Sequence, residues 1–317
     1  MKLPFVFGIR LVFRIFLPGF FFSLFLFPLA FLIKKTLSQP VSAEIYFILA
    51  PALLGWLISL LDIPIYKLYE GREFWPPSIK RCGIKLQKRR LIALRKTAKT
   101  DVEKQIKLAR FPLSEEFRTR EAQAPTKLGN ILAEAEQYPD IKYGMDGVFF
   151  WYRIWYLLDN DTRVWCDEIR SVADSALYIS FVFIIGSIIL LLYFLYELLF
   201  NGIIYSPIEC YIYIILSIIS LVLAYGLYRI ATTLHEENSD YFKALFDVYW
   251  KKFDTGPIIA ILENNILQKS LRGLSDSEKL FVAWQYLRWD QYSDVNTSKT
   301  KTVAEIFLEQ KPPPAEK

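Results

Sequence analysis

Four long apolar runs, grouped two and two around a strongly basic middle, constrain this 317-residue chain more than any other feature. Residues 15–33, 44–61, 176–200 and 208–230 each reach the roughly 18 consecutive, mostly apolar residues that separate a membrane span from a buried core helix. The expected fold class is an all-α membrane protein. Two transmembrane helical hairpins give four spans, and a cytoplasmic helical domain is built from the central segment and the C-terminal region. The expected boundaries are an N-terminal hairpin over 1–62, a basic and aromatic-rich cytoplasmic segment over 63–174 and a second hairpin over 175–230. A cytoplasmic helical region over 231–290 and a mostly disordered tail over 291–317 complete the chain.

Charge is segregated along the chain in the same way. Hydrophobic residues make up 53% and charged residues 22%, so an oily fraction and a polar fraction must lie apart. Residues 203–228 carry one charge, Glu209, whereas residues 80–110 carry twelve basic residues against Asp101 and Glu103. Lys2, Arg10 and Arg14 precede the first run, Lys67, Arg72, Lys80 and Arg81 open the middle, and Arg229 closes the fourth run. The connectors 36–43 and 201–207 contain no Lys or Arg, with Lys34 and Lys35 as the dissenting pair. The positive-inside rule then predicts a multi-pass protein of the plasma (inner) membrane with both termini and the middle segment cytoplasmic.

The first run is too long for a cleaved leader, whose apolar core is roughly 7–15 residues. Pro18, Gly19 and Pro28 predict a bend within it. Ionisable groups near the runs, namely Arg14, Glu44, Asp62, Glu197 and Glu209, lie within a turn or two of a span end, where water and headgroups are in reach. The lack of a mid-span charge argues against a proton relay or charge-coupled transporter, while a pore lined by Ser, Tyr and backbone groups needs none. Gly55, Ser59, Gly186 and Ser187 are the small residues that either let helices approach closely or are merely tolerated.

Between 79 and 110, Ile84, Leu91, Leu94, Val102 and Ile106 recur at helical spacing among many cations, predicting one amphipathic basic helix or a pair. Beside a membrane the simplest partner is an anionic leaflet, with Lys80, Arg81, Lys85, Lys88, Arg89 and Arg90 as candidate lipid contacts. Nucleic acid is the disfavoured alternative, because a charge run next to a span usually sets topology.

Residues 125–158 are the densest in turn chemistry and aromatics outside the runs. Asn130 is expected to cap a helix over 131–138 that Tyr138-Pro139-Asp140 stops, and Tyr143-Gly144 to turn the chain before Asp146, a second cap. The next helix places Phe149, Trp151, Tyr152, Trp155 and Tyr156 over most of its circumference.

The segment Pro125-Thr126-x-Leu128-Gly129-Asn130, then Glu136, Tyr138-Pro139, Tyr143-Gly144, Asp146 and Trp151-x-Arg153, resembles a group of uncharacterised bacterial four-span integral membrane proteins. The resemblance is clear over these residues and extends elsewhere only in layout, including a C-terminal helical part around Phe246-Asp247. Members of the group tend to have Pro between the Trp and the Arg, where this chain has Tyr152, which leaves the start of that helix open. The resemblance implies an architecture and no reaction. Read from chemistry alone, Asn130, Glu136, Asp146 and Arg153 form either a buried network that fixes loops or a ligand site, with the structural role favoured because capping already accounts for most of them.

No breaker interrupts the chain from Asn160-Asp161-Thr162 to Gly186, predicting a helix over about 161–200 that is far longer than a membrane is thick. The fourth run is expected to continue inward over 234–253. Two further helices are expected over 257–271 and 276–289, the second with a capping box at Ser275 to Glu278.

Catalytic chemistry is hard to build from this inventory. His235 is the sole histidine, and its neighbours Glu236 and Glu237 mark it as an ordinary surface residue. Cys82, Cys166 and Cys210 show no paired spacing. No catalytic, cofactor or metal motif is present, so no cofactor is expected. The leading reading is a non-enzymatic membrane protein whose cytoplasmic helical domain docks a partner or senses a signal at the inner leaflet, in contact with membrane lipid and with a protein partner or copies of itself. An oligomeric ion channel or membrane-perturbing effector gated by that domain is the alternative, and an enzyme or transporter without a readable motif the second alternative.

Overall fold

The computed structural model describes residues 8, 11–37, 43–98, 101–114, 119–196, 198–199, 207–253, 256, 259–260, 279 and 282–284, excepting the side chains of 28–48 and 207–210. Among them the chain is all-helical, with one isolated antiparallel bridge between Leu113 and Arg120. Most of the expected connectors 36–43 and 201–207, most of the helices expected over 257–271 and 276–289, and the tail lie outside the described residues.

A π-helical turn, Val12–Phe16, leads into α1, Leu17–Leu37. Pro18 accounts for the turn, because it brings no N–H to the carbonyl of Arg14 and the preceding backbone must rewind. Helix α2 is Ala43–Leu60 and α3 is Asp62–Glu70, bent 59° from the described part of α2. Pro64 explains the break, since the Leu60 carbonyl loses its helical donor there. Helix α3 closes on Gly71, whose φ of 73° is left-handed, with Gly71 N–H bonded to Leu68 O and Arg72 N–H to Lys67 O. This is a Schellman closure, and glycine accommodates it without a Cβ penalty.

The basic stretch forms a pair of helices, α4 (Pro77–Thr97) and α5 (Val102–Ala109), the second capped by Asp101 on the amides of Glu103 and Lys104. Helices α6 (Lys127–Tyr143), α7 (Gly147–Leu157), α8 (Asn160–Tyr196) and α9 (Pro207–Tyr249) follow, with a short 3-10 turn at Trp250–Lys252. At about 1.5 Å per residue, α8 and α9 run about 55 and 65 Å, roughly twice the hydrocarbon thickness.

Helices α8 and α9 are long and apolar enough to cross a membrane, and the bent pair α2–α3 adds a third candidate if it acts as one span. Over the residues whose side chains are described, the first run is a shorter apolar helix, Val12–Phe27. These helices make the chain consistent with an integral membrane protein. Most of α9 offers apolar side chains to its surroundings, including Ile215, Ile218, Ile219 and Val222, while Ser217, Ser220 and Ala224 are buried. Serines tie α8 to α9. Ser187 Oγ lies 2.7 Å from Ser217 Oγ, Ser220 Oγ donates to Phe183 O, and Ser180 Oγ donates to Ala224 O. Such bonds replace hydrophobic attraction, which lipid cannot supply between helices.

Gly55 takes the close-approach reading rather than the merely tolerated one. A Cβ there would sit 1.9 Å from Ile15 O, and one on Gly19 would sit 1.9 Å from Pro51 O, so the two glycines let α2 touch the π-helical turn and α1 backbone to backbone. Ser59 does not join the contact, because its hydroxyl donates to Trp56 O within α2.

The chain divides into two compact units. The first is Met1–Leu132 with Asn160–Ser239, cored by Ile58, Ile65, Leu128, Leu177, Tyr178 and Val182. The second is Ala133–Asp159 with Asp240–Lys317, cored by Met145, Phe150, Ile154, Phe246 and Trp284. Residues 63–132 and 160–174 fall in the first unit and 133–159 in the second, so the two basic helices share a unit with α8.

Candidate functional site

Helical spacing builds the most concentrated polar site of the first unit. Asp62 and Tyr66 stand one turn apart on α3, and Arg170, Asp174 and Tyr178 stand one turn apart on α8, so each set shares a face. Arg14, from the π-helical turn, lies 3.2 Å from Asp62 and 3.1 Å from Asp174, and donates to the Tyr178 hydroxyl at 3.1 Å. Arg170 approaches Asp174 at 3.6 Å. Tyr178 donates to Asp62 Oδ1, and Tyr66 donates to Asp174 Oδ1. Asp174 is fully buried and His235, from α9, is 1% exposed. Two guanidiniums stand against two carboxylates, the balance that makes buried charge tolerable.

His235 contradicts the expectation of an exposed surface residue. It lies beyond the apolar run 208–230, but α9 turns it inward, where its Nε2 is 3.3 Å from the Tyr66 hydroxyl and the two rings meet edge to face. Because the single phenolic proton of Tyr66 goes to Asp174, Nε2 carries the imidazole proton and Nδ1 is left as a bare acceptor. Nδ1 is buried with no hydrogen-bond partner among the described residues. Burial, and then the field of Arg170, push the His235 pKa down to about 4. Arg14 and Asp62, placed by the sequence at span ends, pair with each other and with α8.

Sequence reading singled out Arg14 and Asp62 but not Tyr66, Arg170, Asp174 or Tyr178. The i, i+4 repeats of polar residues at 62/66 and 170/174/178 were the available signal.

The Pro-Thr-x-Leu-Gly-Asn segment fastens the start of α6 to the end of α3. Thr126 Oγ1 donates to Glu70 O and accepts from Gly129 N–H, so Thr126 is the side chain that caps α6. Pro125 packs where a Cβ on Gly71 would be, and Gly129 allows the Glu70 carbonyl to approach. Asn130 therefore does not cap a helix beginning at 131, because the helix is already running at Lys127. Its amide instead makes four hydrogen bonds to the preceding loop, accepting from Gln123 and Ala124 N–H and donating to Ala124 and Thr126 O. That uses every polar position the side chain has.

In the second unit, Tyr138, Lys142 and Tyr143 converge on Asp247, with Tyr138 at 2.9 Å and Lys142 at 3.0 Å. Burial alone would raise the Asp247 pKa, but the bonds from Tyr143, Lys142 and Tyr138 hold it below the ordinary value. Pro139 does not end the helix as expected. Helix α6 continues to Tyr143 because those contacts anchor its last turn, and it closes at Gly144, whose φ is 70°. Asp146 caps α7 on Phe149 N–H, so α7 begins four residues before Trp151. Trp151 packs on Phe242, and Arg153 lies over the Phe149 ring while donating to Phe149 O. Glu136 offers its carbonyl where a Cβ on Gly147 would collide. The polar motif residues Asn130, Glu136, Asp146 and Arg153 are thus split between the two units, with Asn130 in the first and the others in the second.

Of the candidate lipid contacts, Arg81, Lys85, Lys88 and Arg89 are exposed on α4. Lys80 reaches back toward Arg72 O. Arg90 is half-buried and lines an interior recess, so it is not part of the exposed face. No family model, no curated protein and no solved structure matches the chain.

Proposed function

We propose that this chain is a non-enzymatic, multi-pass protein of the plasma (inner) membrane, with four spans and both termini cytoplasmic. In this reading its helical part docks at the inner leaflet, where it meets a partner or senses a signal. The observation that carries the reading is the exposed face of α4. Arg81, Lys85, Lys88 and Arg89 stand there beside Ile79, Cys82 and Leu86, all exposed. The opposite face is fixed by Leu91 against Phe111 and Ala122. A cationic strip edged by apolar side chains is what an interfacial helix presents to anionic headgroups, and each cation near such a surface contributes about 1 kcal/mol.

The sidedness follows from the charge distribution and is tested with the native thiol at Cys82, which is exposed. With Cys166 and Cys210 replaced by serine, an impermeant maleimide should label Cys82 in inverted vesicles and not in right-side-out ones. Gly202→Cys should behave oppositely. Labelling of both positions from one side would overturn the topology.

A further inference from the structure

Among the described residues Phe74 is the sole non-glycine with a left-handed backbone, at φ 64°, and it lies in the turn that joins α3 to α4. That conformation suits glycine, and a Cβ makes it costly. It persists only where the surroundings hold it. Here the Trp75 indole donates to Leu68 O at 2.8 Å, Lys67 pairs with Glu73 at 2.7 Å, Gly71 closes α3 and Pro76 stands at the N-cap of α4. What the strained turn presents is a bare ring. Phe74 is 66% exposed, and no aromatic ring or cation among the described residues packs on it.

A lone exposed apolar side chain is ordinary, so the place of the turn decides its meaning. Asp62, at the bend, ends the apolar run of α2, and Leu60, Leu61 and Ile63 are exposed on both sides of it. From there α3 runs nine residues, about 13 Å in length. Where α2 crosses the membrane upright or with a tilt of about 20°, the 59° bend carries the end of α3 only about 3–10 Å along the membrane normal. The polar layer beyond the hydrocarbon is about 5–8 Å deep. The turn therefore stays at headgroup depth, beside the start of α4, where Ile79 and Leu86 are also exposed. Its own charges are paired, Glu70 with Arg72 and Lys67 with Glu73, so approach to lipid strands none of them. Arg81 and Lys85 on α4 are exposed to meet anionic headgroups.

We propose that Phe74 is a membrane wedge, its ring inserted among the acyl chains of the inner leaflet beside α4. The rigid turn holds the ring ready, so little freedom is lost on insertion. The inference rests on the placement of this turn at the inner leaflet under the reading above, and it adds an apolar anchor to a contact otherwise made by cations.

The test uses the full-length protein in nanodiscs containing phosphatidylglycerol. The photoreactive p-benzoylphenylalanine is incorporated at Phe74 and, for comparison, at Val102 on α5, which is 71% exposed. After irradiation, mass spectrometry should find phospholipid adducts at position 74, attached through acyl carbons, at least about fivefold above those at position 102. Equal yields at the two positions, or capture of a second copy of the chain in place of lipid, would overturn the proposal. Phe74→Gly supplies a second readout, the thermal midpoint in detergent micelles. It should hold or rise, because glycine relieves the left-handed backbone. A fall would make the ring a packing residue and overturn the wedge. A fluorophore on Cys82 separates the two proposals. A lipid-dependent shift there without acyl adducts at position 74 removes the wedge alone, and acyl adducts without that shift remove the α4 contact alone.

Discussion

Arg14 and Asp174 meet at 3.1 Å, joining the turn before the first helix to the interior of a 37-residue helix. The carboxylate is fully buried and the guanidinium largely so, at 0% and 15% side-chain exposure. Removing one partner leaves the other with a single counter-ion, Asp62 for Arg14 or Arg170 for Asp174, so the cost stays at or below the about 3–5 kcal/mol of a broken buried pair. Asp174→Asn and Arg14→Gln should each lower the thermal midpoint strongly. The double variant should lose clearly less than the sum, and strict additivity of the two losses would show that the pair is not coupled.

His235 makes stability depend on pH in a definite direction. Its folded pKa, about 4, lies below the unfolded value of about 6.5. On acidification the unfolded chain takes up a proton that the folded imidazole refuses. The contribution of His235 is therefore complete above about pH 6.5 and declines as pH falls through the window to about 4, by on the order of 3 kcal/mol. His235→Phe should flatten the midpoint-versus-pH curve between pH 7 and 4.5. An unchanged slope in that variant would place the titration elsewhere.

The backbone contact between α2 and the π-helical turn leaves no room for a methyl group. Gly55→Ala places a Cβ 1.9 Å from Ile15 O, whereas Gly226→Ala meets nothing within 4 Å. The first should cost at least the ~1–3 kcal/mol of an overpacked core. The second should be neutral or stabilising, since alanine is the better helix former. Equal yields of folded protein from both would contradict the close approach.

Asp247 gathers three donors at the surface of the second unit. Because the cluster is exposed, Asp247→Asn should cost no more than about 1–2 kcal/mol. Its effect should appear locally, as faster amide exchange through the last turn of α6. Exchange that stays at the wild-type rate there would show that the last turn holds without Asp247.

Local signals read well from the sequence, and long-range ones did not. The cap at Asp146, the start of α8 at Asn160 and the inward continuation of α8 and α9 rest on neighbouring residues and helical period. Pro139 misled because a proline normally ends a helix, and the compensating anchor, Asp247, lies 108 positions away in the chain. His235 misled for a related reason: Glu236 and Glu237 make its surroundings look wet, but only the arrangement of α3, α8 and α9 decides which face of α9 is buried. Ser180, Ser217 and Ser220 attracted no notice among apolar neighbours. Their role depends on the facing helix, which composition does not reveal.

Contact between the exposed face of α4 and an anionic leaflet is the central claim, and Cys82 sits within that face. An environment-sensitive fluorophore on Cys82, with the other cysteines replaced by serine, reads the contact directly in nanodiscs. Emission should shift to the blue when phosphatidylglycerol replaces phosphatidylcholine. The shift should shrink with added salt and vanish when Arg81, Lys85, Lys88 and Arg89 are all changed to glutamine. Identical emission in the two lipids at low salt would contradict the account.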